Sequence, residues 1–484
     1  MLTWVQIMPK GSEMDNNEKL ITWDKETDVV VVGSGFAGLA AAIEARLAGC
    51  GVTVLEKMKG FGGNSTISDG CIAAADTDLQ RKAGIVDSPE LMYQDMLAAG
   101  LGLNQPELVR VVTQKSNETF TWTRDFLGVV YQERVGWFGG HSLARSHAPV
   151  NRSGADIIKQ QLKKARHLGV EIKTKTYLQE IARNGTGRVC GVRVREGYQY
   201  PDRESGQELC MKANKAVILA TGGFGNDIQF RSAQDPRLDA SIDSTNKYST
   251  TGEALQAAIR IGALPVHLSW IQLGPWACPD EKGYGIGPDF SSYIAFPYGI
   301  IVDPETGCRL VNEMADRKTR ADALLNAGHP CVCLVDQHGI DVSGFGIAHC
   351  VRKGVVKQFD TLVDLSAACD MPAGTFKETV SRYNQFVRNN SDPDFGKPIS
   401  KDTAPILQAP YYAMRIWPKV HYTMGGALIN AKAQVLDLNQ QPIEGFYAAG
   451  EVAGGVQGAC RLGSCAIIDC LVFGRIAGQE AAKR

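Results

Sequence analysis

The chain has no surplus of charge of either sign. Its 51 Lys and Arg face 52 Asp and Glu over 484 residues. Binders of nucleic acid or of acidic membrane surfaces select for a basic excess, so neither is expected as the main partner. Long apolar runs are missing too, and none approaches the roughly 20 residues a helix needs to cross a bilayer. The 13 cysteines include no C-x-x-C pair. That removes the signature of a zinc ribbon or a cysteine-ligated iron–sulfur run, and with it an attached c-type haem. No metal site is expected. Cys460, Cys465 and Cys470 recur every five residues, off a common helix face, and most of the cysteines read as small buried hydrophobes in a reducing compartment. Residues 1–24 lack the basic start and sustained apolar core of a secretory signal, and Glu13, Asp15 and Glu18 interrupt them. They read as a tail and the compartment as cytoplasmic, although a periplasmic protein with its signal trimmed would look the same. Internal repeats and low-complexity tracts are also lacking.

What is present is an ordinary globular composition, 44% hydrophobic and 21% charged, in a chain long enough for two domains. The folded part opens on "DVVVVGSGFAGLAAAIEARLAGCGVTVLEK". Residues 28–32 are a continuous β-branched run, as a buried parallel strand requires. Gly33, Gly35 and Gly38 form a G-x-G-x-x-G turn, a helix-forming stretch runs to Gly49, and "VTVLE" supplies a second strand ending at Glu56. This is a βαβ unit of dinucleotide-binding type. Its glycines allow a tight turn and close approach of the backbone to a pyrophosphate, which faces the positive end of the helix. Glu56 lies where a carboxylate can accept from the adenosine ribose.

Three more glycine clusters follow: "GFGGNSTISDG", "KAVILATGGFGN" and "GFYAAGEVAGGVQGACRLGSCAIIDCLVFGRIAGQEAA". The dinucleotide fold is therefore expected from both ends of the chain, residues 25–240 and 413–484. Residues 241–412, richer in proline and aromatics and carrying helical segments such as 361–389, read as an inserted domain. The expected class is α/β.

The motifs "GSGFAGLAAA", "GGNSTISDG", "ATGGFG", "HYTMGG", "YAAGEV" and "GACRLGS…FGRIAG" occur in that order. With them the chain resembles the fumarate reductase/succinate dehydrogenase flavoprotein family, in particular soluble flavocytochrome c-type fumarate reductases and urocanate reductase relatives. The resemblance implies a Rossmann-like, glutathione-reductase-like FAD-binding domain and an inserted α+β capping domain that closes over the flavin. It places cofactor contacts at Gly33, Gly35, Gly38, Glu56, Gly63, Asn64, Ser65, Thr221, Gly222, Gly223, Gly450, Glu451, Arg461 and Ser464. Membrane-bound members attach FAD through a histidine at the "GG" loop. This chain has Asn64-Ser65-Thr66 there, so FAD is expected to be non-covalent. The chemistry implied needs a hydride from flavin N5 to one alkene carbon, a proton to its neighbour, and groups that hold the activating carboxylate. His421 in "HYTMGG" and Arg461 in "GACRLGS" match the carboxylate ligands. Arg317 in "NEMADRKTRADALL" matches the proton donor, with Arg320 as the competing position one turn away. Apart from the resemblance, that stretch reads equally as a solvated helix.

The departures bear on the substrate. Where the family has a histidine after an "IQ" pair, this chain has Leu273 and Gly274. Ser292 and Tyr293 stand where Thr and Glu are expected, and Phe296 replaces an arginine. One end of the site keeps its carboxylate clamp. The other has lost polar anchors and gained Tyr293, Phe296 and Tyr298, with Trp270 and Phe290 as further candidates. The expectation is an FAD-dependent reductase of a C=C bond in a 2-enoate bulkier than fumarate, with Tyr293 as a substitute relay. The rivals are fumarate reductase or succinate dehydrogenase proper, a 3-ketosteroid dehydrogenase, and a non-catalytic flavin electron-transfer subunit. With one dinucleotide fingerprint and no haem motif, the electron donor is expected to be a separate protein, a cytochrome or a flavoprotein.

Overall fold

The computed structural model describes residues 21–483, so most of the expected tail lies outside the described residues. Lys25–Val32 is hydrogen-bonded on both edges. Val52–Leu55 runs parallel on one side, with Val29 opposite Val52. Gln207–Leu219 runs parallel on the other, with Val31 opposite Ile218. A strand flanked on both edges and covered on both faces must be apolar throughout, and Val29, Val30 and Val31 are fully buried. The sheet continues outward to Glu171–Lys173 on one side, and through Pro442–Ala448 to Gln434–Leu436 on the other. Thr176–Arg183 and Val189–Glu196 extend it as antiparallel strands from Gln207–Leu219.

The alanine-rich helix Phe36–Leu47 is buried from Phe36 to Ala45. It lies against the last helix, Cys465–Ala482. Gly478 permits the contact, because a Cβ there would sit 2.2 Å from the carbonyl oxygen of Ala41. The two ends of the chain thus share one sheet and one core.

The insert has its own four-stranded antiparallel sheet, in the order Ile300–Val302, Cys331–Asp336, Tyr411–Ile416, Lys357–Phe359. Strand residues alternate between its faces. Val332 and Leu334 pack with Phe376, Val380 and Tyr383 of the helix Ala373–Arg388. Cys331, Cys333 and Val335 pack with Phe290, Ile294 and Phe296. These come from the helical segment Gly287–Phe290, a π-turn Ser291–Ala295, and Phe296–Tyr298. The whole is the α/β class expected: a mixed, mainly parallel sheet layered with helices and carrying an α+β insert.

Segments close to the expected junctions at 240/241 and 412/413 pack across them. Ala254, Leu255, Ala257 and Ala258 belong to the core of the main sheet, because the helix Glu253–Arg260 packs on it. At the other junction Ala413, Met414, Arg415 and Ile416 are still paired within the insert's sheet. Among the described residues no helix is long and apolar enough to cross a membrane.

Candidate active site

The ends of the central strands and the start of the first helix wall a channel. Gly33, Gly35, Glu56, Gly63, Asn64, Ser65, Thr221, Gly222, Gly450 and Glu451 line it. Gly33 takes φ +104, and a Cβ there would sit 2.3 Å from the carbonyl oxygen of Ala220. Backbone, not side chain, therefore faces the ligand, beside the N-terminus of a 12-residue helix, as a pyrophosphate requires. Gly38 and Gly223 stand behind the wall, against Gly33 and Glu451 respectively. The cradle fits a dinucleotide.

Three polar residues of the channel are already tied to the protein. Glu56 accepts from Ser34 Oγ at 2.6 Å, from Ser34 N at 3.2 Å and from Met58 N at 2.9 Å. A carboxylate offers about four acceptor positions, so little is left for a ribose. Its visible work is to fasten the glycine turn to the second strand. Ser65 Oγ accepts from Phe36 N at 3.1 Å. Asn64 accepts from Lys247 N at 2.8 Å and Thr250 Oγ at 3.1 Å, and donates to Asn246. It therefore clamps the glycine loop to the segment leading into the insert.

A second cavity adjoins the channel, and Phe36, Asn64, Ser65, Glu451 and Cys470 belong to both walls. Into it come all four expected catalytic side chains, Arg317, His421, Arg461 and Tyr293, together with Arg320 and Ser464. The cavity lies between the main sheet and the insert. Arg317 and Tyr293 are carried by the insert; His421 and Arg461 lie on the chain's return to the main sheet.

The helix Arg317–Ala327 starts where it does because the Asp316 side chain caps it, accepting from Lys318 N at 2.8 Å and Thr319 N at 3.1 Å. Residues three apart share a helix face, so Arg317 and Arg320 both reach the cavity. Lys318 and Asp322 pair on the outer face, both about half exposed. The solvated-helix and active-site readings each describe one side of this helix.

The Arg317 guanidinium lies 4.3 Å from the Trp276 ring centroid, and its Nη1 is buried without a hydrogen-bond partner. Burial first, then the positive charge of Arg461, pushes its pKa well below the usual arginine value. Arg320 lies 4.7 Å from the Phe296 centroid, and burial lowers it to about 10. Arg461 lies 4.8 Å from the Tyr422 centroid and has a buried Nε without a partner. Gln272 of the "IQ" pair donates to the Arg461 carbonyl at 3.0 Å and so fixes that loop. His421 Nδ1 pairs with Thr245 Oγ at 2.7 Å. Burial, reinforced by Arg461 and Arg317, drives its pKa far down, so the ring is neutral. Ser464, at φ +64, starts the last helix and shares a 2.8 Å hydrogen bond with Ser146 Oγ.

Tyr293 sits in the π-turn and donates to Asp69 Oδ2 at 2.8 Å. Its ring is stacked on Phe345 and carries the Arg152 guanidinium 3.8 Å away. Burial and the Asp69 charge raise its pKa well above the ordinary phenol value. Ser292 and Phe296 line the cavity as expected. Three other aromatic candidates do not. Trp270 lines a separate groove with Asp235 and Lys318, Phe290 is fully buried in the insert's core, and Tyr298 lines a neighbouring recess. The residues sequence reasoning missed are Trp276, Tyr284, Trp137, Phe138 and Asp69, all in the cavity wall. Asp69 lies inside the quoted "GGNSTISDG" motif, a signal that was available. Trp276 belongs to "WIQLGPW", two residues beyond Gly274, and only the fold distinguishes it from Trp270.

Fold and cavities together define a flavin-dependent oxidoreductase. The chain belongs to the FAD binding domain family, whose match spans residues 28–467, and its cofactor is FAD. It is 42% identical over 473 residues to the acrylate reductase flavoprotein subunit of Shewanella woodyi, covering 96% of this chain and 93% of that one. It is 34% identical to a urocanate reductase of Eggerthella lenta, over 98% of this chain and 78% of the relative. A cytochrome-type fumarate reductase of Shewanella frigidimarina is 36% identical over 94% of this chain and 77% of its own length. Among solved structures, the open conformation of a flavocytochrome c3 fumarate reductase superposes with a TM-score of 0.75 at 31% identity, covering 98% of this chain and 81% of that one. A 3-ketosteroid-Δ4-(5α)-dehydrogenase from Rhodococcus jostii superposes with a TM-score of 0.76 at 26% identity, covering 96% and 98%.

Proposed function

We propose that this protein reduces the C=C bond of 2-enoates that carry one carboxylate and a bulky or aromatic far end. One observation carries the reading. Arg317, Arg320 and Arg461 surround a single cavity beside the FAD channel, and two of them hold buried nitrogens without a partner among the described residues. Such uncompensated buried cations call for an anionic ligand. The relatives named for acrylate, urocanate and fumarate reduction bracket that ligand class.

FAD, held non-covalently in the channel, would supply the hydride. Among the residues lining the two cavities the one histidine is His421, whose Nδ1 is taken by Thr245, which supports non-covalent binding. Arg461 clamps the substrate carboxylate with its planar fork, and His421 Nε2 presents a second polar contact. Arg317 delivers the proton to the carbon beside the carboxylate. Its burial next to Arg461 weakens its hold on that proton. Trp276 holds Arg317 by one face and meets His421 edge-on at 4.8 Å. The insert, in its expected span of 241–412, closes over the flavin and carries Arg317, Trp276 and Tyr293. Electrons come from a separate donor protein. All 13 cysteines are free, which supports the cytoplasm as the compartment.

The test is anaerobic. The bound FAD is photoreduced, and its reoxidation is followed with fumarate, acrylate, cinnamate, urocanate and a 4-ene-3-ketosteroid. Cinnamate or urocanate is expected to reoxidise it rapidly. Arg317→Ala should lose on the order of a thousandfold in rate, and Arg320→Ala far less. Reoxidation by fumarate alone would overturn the bulky far end. Reoxidation by the steroid alone, or indifference to both arginines, would overturn the carboxylate clamp.

A further inference from the structure

We infer that Asp69 sets the charge selectivity of the substrate cavity, rejecting a second carboxylate at the end opposite Arg461 and His421. This rests on the enoate reading and deepens it.

The cavity is polarised. Arg461 and His421 mark one end. Arg317 shares the Trp276 ring with His421, whereas Cys71, Ser292 and Tyr293, beside Asp69, also line the neighbouring recess, which Arg317, His421 and Arg461 do not reach. Asp69 lies beyond, in the loop after the "GGN" turn. Its Oδ2 accepts from the Tyr293 hydroxyl at 2.8 Å and its Oδ1 from Cys71 N at 2.9 Å. Both donors are neutral, and Asp69 forms no ion pair among the described residues. The nearby Arg152 guanidinium is spent on ring faces, 3.8 Å from Tyr293 and 4.2 Å from Phe345. The carboxylate thus stands in the cavity wall without a cationic partner among the described residues.

An enoate pinned by its carboxylate at Arg461 and His421, with its reacting carbons beside Arg317, points its other end at Asp69 and Tyr293. A neutral alkyl or aryl group meets no opposing charge there. A dicarboxylate brings a second negative charge to an existing one within a half-buried cavity, where screening is weak. Selectivity of this kind is a repulsion built against the wrong ligand, added to the missing attraction at Phe296 in the cavity wall.

The experiment uses the FAD-loaded protein as wild type, Asp69→Asn and Asp69→Ser. The asparagine removes the charge, keeps an acceptor for Cys71 N and turns its amide N–H toward the Tyr293 oxygen. The serine shortens the side chain and guards against a local effect of the amide. Rates are measured for acrylate, cinnamate and fumarate, and dissociation constants for propionate and succinate are read from the flavin absorbance. In Asp69→Asn, the ratio of kcat/KM for fumarate to that for acrylate should rise on the order of tenfold or more. An unchanged fumarate-to-acrylate ratio in both flavin-loaded variants overturns the proposal. So does a wild type that reduces fumarate as readily as acrylate. If no form reduces any enoate, it is the reductase reading that falls. The binding constants then decide Asp69: propionate preferred by wild type but not by Asp69→Asn supports the role, and a preference that survives the change removes it.

Discussion

Arg317 meets a ring face where an arginine ordinarily meets a carboxylate, and this is the residue-scale feature on which the chemistry turns. Motif order pointed to its position, with Arg320 as the competing candidate because a one-turn shift exchanges them. The buried unpartnered nitrogen belongs to Arg317, which supports it as the proposed donor. Two carboxyls next to the site carry a second consequence. Burial pushes Asp469 up to about 7, against a single hydrogen bond from Gln457 at 2.8 Å, and Glu451 likewise to about 7. An unfolded aspartate titrates near 3.9, so between roughly pH 4 and 7 the folded chain binds the extra proton. Stability from this group is therefore greatest at the acid end, falls as pH rises through about 7, and is flat above. Asp469→Asn should remove that slope. At pH 8 the variant should unfold at a higher temperature than the wild type, by an amount worth a few kcal/mol, roughly, and near pH 4 the difference should shrink. Paired thermal melts at the two pH values check it. An equal gap at both would remove the burial argument.

At the scale of elements, the contact between the first and last helices sets how closely the two ends of the chain can pack. Gly478 faces the Ala41 carbonyl with no room for a methyl group. Gly478→Leu should cost about 3 kcal/mol or more, since the backbones must part, and bound flavin should fall with it. Gly346→Ala, at a position with nothing within 4 Å of the added carbon, is the control and should leave the melting temperature almost unmoved. Calorimetry with flavin quantitation reads both. Elements defined by short-range pattern were legible in the sequence: the β-branched first strand, the glycine turn, the alanine helix after it. Trp276, Trp137 and Phe138 were not legible, because nothing local distinguishes a cavity-wall tryptophan from Trp270 in a neighbouring groove. Only the antiparallel pairing of Ile271–Gly274 with Lys419–Thr423 decides which face each takes. The helix Glu253–Arg260 follows the glycine segment in sequence but packs on the main sheet.

At the scale of the whole molecule, the FAD channel is walled by segments from residue 32 to residue 470, so cofactor and fold are coupled. Stripping FAD should lower stability by about 2.7 kcal/mol relative to protein held at a hundredfold excess of free FAD over its dissociation constant. Titrating FAD back should restore the melting temperature in a concentration-dependent way. A melting temperature indifferent to added FAD would argue against the channel as its site. The arrangement of the sheet has a further consequence, in time. Lys25–Val32 leaves the ribosome long before Pro442–Ala448, its neighbour on the far side of Gln207–Leu219, and before the helix that covers its glycine turn, which ends at Ala482. Chains emerge at about 5–20 residues per second, and units fold as they complete. The insert can therefore close its own sheet while the cradle still waits for its last wall. Flavin capture must wait for the helix Cys465–Ala482, and a nascent chain stalled before residue 465 should be unable to retain the cofactor.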